Sequence, residues 1–142
     1  MTAQNLKNHA RFVPLFHFVT LPLLLLVIVG SVVNLINFSH ENLLTALLIL
    51  LLSIVTLLVS FFARAFALKA QDRAIRAEEN LRYFIATGKP MDQAITTAQI
   101  VALRFAGNEE FVALTNRAVT EKMNSKEIKM AIQNWKGDYN RV

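Results

Sequence analysis

Cysteine is absent from this 142-residue chain, which excludes disulfides, thiolate metal sites, iron–sulfur ligation and a cysteine nucleophile together. Glycine and proline are scarce, at four and three residues, and neither occurs between positions 31 and 87. Nothing in that long interval is a natural helix breaker. Charge is missing as well. Residues 12–40 contain no Lys, Arg, Asp or Glu, and after Glu41 a second uncharged stretch covers residues 42–63. A bilayer core of about 30 Å needs about 20 apolar residues in a helix, and both stretches reach that length. The chain is 54% hydrophobic with its apolar content concentrated in the first half. The 79 residues after position 63 suffice only for a small helical module.

The charges that are present orient the spans. Lys7 and Arg11 precede the first, Arg64, Lys69, Arg73 and Arg76 follow the second, and Glu41 alone lies between. By the positive-inside rule both termini face the cytoplasm. The first apolar run is longer than the roughly 7–15 residues of a signal-peptide core, so it reads as a span and not as a cleaved leader. A net charge of +5 is what a basic membrane protein carries and is not by itself a nucleic-acid signal. Asn37, Ser39, His40, Glu41 and Asn42 form the only polar cluster between the spans, with Ser39 able to cap the second helix. So short a turn makes the helices antiparallel neighbours and leaves no outer domain.

The predicted fold is therefore all-α: a transmembrane helical hairpin, a long cytoplasmic helical extension and a small three-helix cytoplasmic tail. The hairpin occupies residues 1–63, with spans at about 15–38 and 42–63; the extension takes 64–87 and the tail 91–142. Pro22 removes a backbone bond within the first span and predicts a kink or the start of the membrane helix proper. Residues 12–20, with Phe12, Phe16, His17 and Phe18, are expected at the interface or re-entrant.

Faces for helix packing follow from spacing. Ala46, Ile49, Ser53, Thr56, Ser60 and Ala63 recur at steps of three and four on the second span, and Gly30, Asn34 and Asn37 on the first. Small residues let helices approach closely, and an amide in lipid is expected to face a partner or interfacial water. With no ionisable residue at mid-membrane, packing is favoured over a conduction path. Ala70, Ala74, Ala77, Leu81 and Phe84 continue the pattern along the extension as a narrow apolar stripe for one partner, either a second copy or the tail folding back. Gly88 and Pro90 stop that helix.

The tail reads as three helices. One starts at Asp92 or Thr97, a second is capped by Asn108, and the third begins at Asn124 or Ser125, where Asn124 and Glu127 have capping-box spacing. Trp135 is either a core plug for this module or a partner's contact point, with core packing favoured because other large residues are few. His17 and His40 are 23 residues apart, about 35 Å along a helix, so they do not share a haem or metal. No cofactor is expected.

FVPLFHF at 12–18, QIVALRFA at 99–106, EEF at 109–111, SKEIKMAIQNW at 125–135 and DY at 138–139 resemble the recurring pieces of a family of small bacterial two-span membrane proteins known only as a domain of unknown function. The resemblance covers nearly the whole chain. It implies the bacterial inner membrane and a cytoplasmic helical tail, and it carries no activity.

Catalysis is not expected. The chain has no His beyond position 40, no glycine-rich phosphate loop and no paired intramembrane carboxylates. The reading favoured is a membrane anchor or accessory protein that presents a cytoplasmic helical module for protein contact. Its expected partners are the lipid bilayer and either further copies of itself or a larger membrane complex, with no small-molecule substrate evident. The alternative is a membrane-tethered nucleic-acid binder or regulator. MNSKEIKMAIQNW at 123–135 is faintly like a helix-turn-helix, and Arg104, Arg117, Lys122, Lys126, Lys129 and Lys136 add positive charge. Glu109, Glu110, Glu121, Glu127 and Asp138 interleave with them, as on a solvated mixed-charge face, so nucleic acid is not favoured.

Overall fold

The structure, a computed structural model, describes residues 4–9, 12–37 and 42–139. The expected turn at Ser39, His40 and Glu41 lies outside them. The described residues are helical, without a strand, and form α1 (Leu21–Ile36), α2 (Leu43–Thr87), α3 (Thr97–Leu103), α4 (Asn108–Thr120) and α5 (Ser125–Ala131). They belong to two compact units, one of Phe12–Ala67 and one of Leu68–Val142 with Met1–Arg11.

In the first unit, Pro22 is accommodated by a change of helical register instead of a break. A π-helical segment, Leu15–Thr20, runs directly into α1, and the Leu21 N–H bonds the Phe16 carbonyl five residues back. Widening the turn here gives room where the proline ring would meet the preceding turn and where its missing N–H removes a bond. The Val13 N–H donates to His17 Nδ1 at 3.1 Å, so the imidazole satisfies a backbone donor at the helix start.

Small residues are the covered ones in this unit. Ser31, Ala46 and Ser53 are buried, while Leu26 and Leu52 are 68% and 65% exposed. On α1 the covered line is Leu21, Leu24, Ile28, Ser31 and Leu35; on α2 it is Ala46, Leu50, Ser53, Leu57 and Ser60. Both follow steps of three and four, the spacing of one helical face. Polar side chains bond their own helix: Ser31 donates to the Val27 carbonyl, Ser53 to Leu50, Thr56 to Leu52 and Ser60 to Thr56. Their hydroxyls thus need no water path or second helix. At the far end of these helices, the Arg64 guanidinium lies 5.9 Å from the centre of the Phe16 ring.

α2 is one uninterrupted helix of 45 residues, as its lack of glycine and proline predicts, without a break between Ala63 and Lys69. It ends at Gly88, whose φ of +70° is the left-handed conformation that suits glycine and whose N–H bonds the Phe84 carbonyl.

The second unit packs α3, α4 and α5 around Ile100, Leu103, Phe105, Phe111, Leu114 and Ile128, with Ile75 of α2 in the same core. α3 starts at Thr97, one of the two expected positions, with Thr96 as its cap in a reciprocal capping box with Gln99. Asp92 instead accepts the Ala94 N–H in the preceding turn. α4 departs from expectation, because its cap is Gly107 and Asn108 is its first helical residue. The cause is tertiary. The Gly107 N–H bonds the Asn134 carbonyl at 2.8 Å, and a Cβ on Gly107 would meet that oxygen at 2.9 Å. α5 begins as predicted, with Asn124 accepting from the Lys126 and Glu127 N–H groups and Glu127 accepting from the Asn124 N–H. Asn124→Ala is expected to cost about 1 kcal/mol of module stability, seen as faster amide exchange confined to the start of α5.

Candidate functional site

The second unit holds its chemically distinctive groups where α2 meets the tail. Ile75, Glu79 and Tyr83 recur at steps of four along α2; Ile75 and Glu79 are buried and Tyr83 is half-buried. This face, and not the apolar stripe, carries the tail. Arg82 is its centre. Its guanidinium donates to Glu79 Oε2 at 3.0 Å, to the Ala106 carbonyl at 2.7 Å and to Asn108 Oδ1, and sits 4.0 Å from the centre of the Phe111 ring. Only a planar fork of donors with two flat faces makes all these contacts at once. Arg76 adds a bond to Thr97 Oγ1, and the Tyr83 hydroxyl one to Asn116.

A second ion pair fastens the end of the chain. Arg104 Nε lies 2.8 Å from Asp138 Oδ2, a charge contact whose angle falls outside that of a directed hydrogen bond. The Arg104 guanidinium also stacks 4.4 Å from the centre of the Phe105 ring. Beside this pair is a hollow of about 470 Å³, lined by Glu78 and Glu79 of α2 and by Lys136 and Tyr139 among others. Its charges are matched, Glu79 with Arg82 within α2 and Arg104 with Asp138; Arg82 through Ala106 and Asn108 fixes α2 to the core, and the Arg104–Asp138 pair fixes the terminal segment.

Two further polar devices shape the module. Gln99 is buried and fully used: its amide nitrogen donates to the Ala118 and Met123 carbonyls, and its oxygen accepts from the Thr96 N–H and hydroxyl. Glu110 receives the Gln133 and Asn134 N–H groups at 3.0 and 2.9 Å, holding the turn before Trp135. The N-terminal residues join the same unit. The Gln4 amide pairs with both the N–H and the carbonyl of Asp138, and the His9 ring lies 5.8 Å from Phe105 and 5.9 Å from Trp135, centre to centre.

The predicted contact residues are dispersed over several faces. Ser53 is covered and Ser60 half-covered, whereas Thr56, Gly30 and Asn34 are exposed. Ser31, one position from Gly30, is buried instead, because adjacent helical residues point about 100° apart. Ala70, Ala74, Ala77, Leu81 and Phe84 are all exposed. The tail does fold back on α2, but on the face through Ile75 and Glu79. Leu81 and Ile85 border a mostly apolar hollow of about 460 Å³ reaching to Phe111. Trp135 is half-buried with its ring centre 5.4 Å from that of Phe105, so it packs on the core of this module.

Glu79, Arg82 and Gln99 were not distinguished in the sequence, and Arg104 was named only as a cation for nucleic acid. Charged residues on a helical stripe look like solvated ones until a partner covers them, and only the four-residue step from Ile75 to Glu79 to Tyr83 hinted otherwise. Of the six cations named for nucleic acid, Arg104 is buried and Arg117 pairs with Glu121. Among the described residues, no three His, Cys, Asp or Glu side chains gather into a metal-binding group.

No curated protein and no solved structure matches the chain. A protein-family model does, and it matches residues 1–142. The protein belongs to that family, described as "Family of unknown function (DUF6526)".

Proposed function

We propose that this protein is a helical-hairpin protein of the bacterial inner membrane. Both termini lie in the cytoplasm, and it acts by presenting its helical module to another protein, as a homo-oligomer or as an accessory subunit of a larger membrane complex. The observation that carries this reading is the state of its apolar helices. Leu15–Ile36 and Leu43–Thr87 have mean hydropathy of 2.5 and 2.8 in their most apolar windows, yet only 6% and 11% of those windows is buried. A core helix of a water-soluble protein would have these side chains covered; here lipid or a partner must cover them.

The hairpin is supported by the covered small residues near the turn on both helices and by Arg64 reaching Phe16 at the other end, as an antiparallel pair requires. Lys7 and Arg11 before the first helix, with Arg64, Lys69, Arg73 and Arg76 after the apolar part of the second, support cytoplasmic termini. Contact through α2 is supported by its exposed stripe, where Leu81, Phe84 and Ile85 are 59%, 51% and 75% exposed.

Reagent access to single cysteines introduced at either end tests the topology, and an externally reactive C-terminus would overturn it. For association, Ala74→Leu with Ala77→Leu places bulk on the exposed stripe. Membrane insertion should be unchanged, while recovery of the partner from mild detergent should fall roughly tenfold or more, as 1–3 kcal/mol of misfit implies. Unaltered association would remove α2 as the contact surface.

A further inference from the structure

In the second unit, Ala70, Ala74, Ala77, Leu81 and Phe84 of α2 alternate by steps of four and three, the a and d positions of a heptad, and all five are exposed. The tail is packed on the other side of the helix. Ile75 and Arg82 occupy b positions, Tyr83 a c position and Glu79 an f position, the outer face of a coiled coil. The chain's own packing therefore leaves the seam open. Beside it, Arg73 is a g position and Glu78 the e position five residues later, and both are exposed. Among the described residues neither has an ion pair or a side-chain hydrogen bond. Residues five apart on one helix point about 140° away from each other, so these two charges cannot meet within the chain.

We infer that a second copy of this chain covers the stripe, in a parallel, in-register pair of α2 helices. In such a pair each g side chain faces the partner's e position five residues further on. Arg73 then meets the partner's Glu78, and two-fold symmetry makes the contact twice. An antiparallel pair would set g against g and e against e, leaving both charges unmatched. The next e and g residues, Ile85 and Asn80, are uncharged and add no repulsion. Alanine at Ala70, Ala74 and Ala77 allows close approach of the backbones, while Leu81 and Phe84, 59% and 51% exposed, supply apolar area to bury. With the membrane topology proposed above, on which this pairing rests, all copies send α2 out of the membrane in one direction. Confinement to one membrane also raises their effective concentration, which a seam only about 22 Å long requires.

The chain has no native cysteine, so single cysteines report pairing directly in the full-length protein reconstituted in lipid vesicles. Facing seam residues of a parallel pair come within disulfide range, so Ala77→Cys should give a disulfide-linked dimer on mild oxidation. Ala86→Cys, exposed at an f position, should not. Added to Ala77→Cys, Arg73→Glu or Glu78→Arg alone should slow dimer formation roughly fivefold, since two attractions become two repulsions. Arg73→Glu and Glu78→Arg together should restore the rate, because the exchanged charges again oppose each other across the pair; damage to the fold would not be repaired in this way. No cross-link at Ala77, equal cross-linking at Ala86, or no recovery in the combined variant would overturn the second copy as the partner. If Ala74→Leu with Ala77→Leu still lowered recovery of a different protein, α2 would stand as the contact surface and only the pairing of copies would fall.

Discussion

Arg82→Ala is expected to loosen α2 from the tail by about 3–5 kcal/mol, the range for removing one partner of a buried ion pair. The loss is large because it has three parts. Glu79, whose side chain is 6% exposed, would keep its charge without a counter-ion. The Ala106 carbonyl and Asn108 would lose their donors at the start of α4, and the Phe111 face would lose its cation. Arg82→Lys should recover only part of this, since a single ammonium cannot reach the carboxylate, the carbonyl and the ring together. Adding Glu79→Gln to Arg82→Ala should regain stability relative to Arg82→Ala alone, because the stranded charge is gone. Hydrogen exchange of α3 to α5 in the full-length protein measures these differences. Equal protection in Arg82→Lys and the parent would show the fork geometry to be dispensable.

The second large effect is expected at Gln99. Gln99→Leu fills the same space but strands the Met123 carbonyl, leaves the Ala118 carbonyl with only the Met123 N–H, and removes the acceptor of the Thr96 N–H and hydroxyl. Unsatisfied buried groups cost about 1–3 kcal/mol each, and a combined loss of about 2–4 kcal/mol is anticipated after partial relaxation. Gln99→Glu separates the two halves of the amide. Its carboxylate still accepts from Thr96, but an anionic oxygen would face the Ala118 and Met123 carbonyls. Protonation restores one donor, so the folded-state pKa of the introduced acid should be raised above the unfolded value of about 4.3. Its stabilising contribution is therefore complete below that unfolded value and lost as pH rises through the folded one. Thermal unfolding of Gln99→Glu should accordingly improve relative to the parent on acidification. An unchanged difference across pH would mean that the donor half of the amide contributes little.

Both residues illustrate how much of this protein is local and how much is not. The helices were legible because their causes are short-range. Absence of glycine and proline keeps α2 continuous through all 45 residues, and the Asn124–Glu127 spacing closes a capping box within one turn. Both apolar runs are long enough to cross a bilayer, a length that needs no partner to be read. The one misplaced helix start had a tertiary cause: α4 starts after Gly107 because the Asn134 carbonyl occupies the space a side chain would take.

What the sequence alone determined is the set of elements: two apolar helices of spanning length, an unbroken extension and three short capped helices, each dictated by spacing of three or four residues. Which faces of those helices are covered was decided only by the tertiary structure. A stripe of alanines and a stripe holding Ile75 and Glu79 lie on the same helix, and periodicity ranks the first as more apolar. The tail nevertheless covers the second, because Arg82, paired with Glu79 three residues back on the same helix, stacks on Phe111 and donates to the Ala106 carbonyl 24 residues away. Such a contact has no counterpart in local pattern. It exists only when two distant segments have folded against each other and excluded the water that would otherwise solvate their charges.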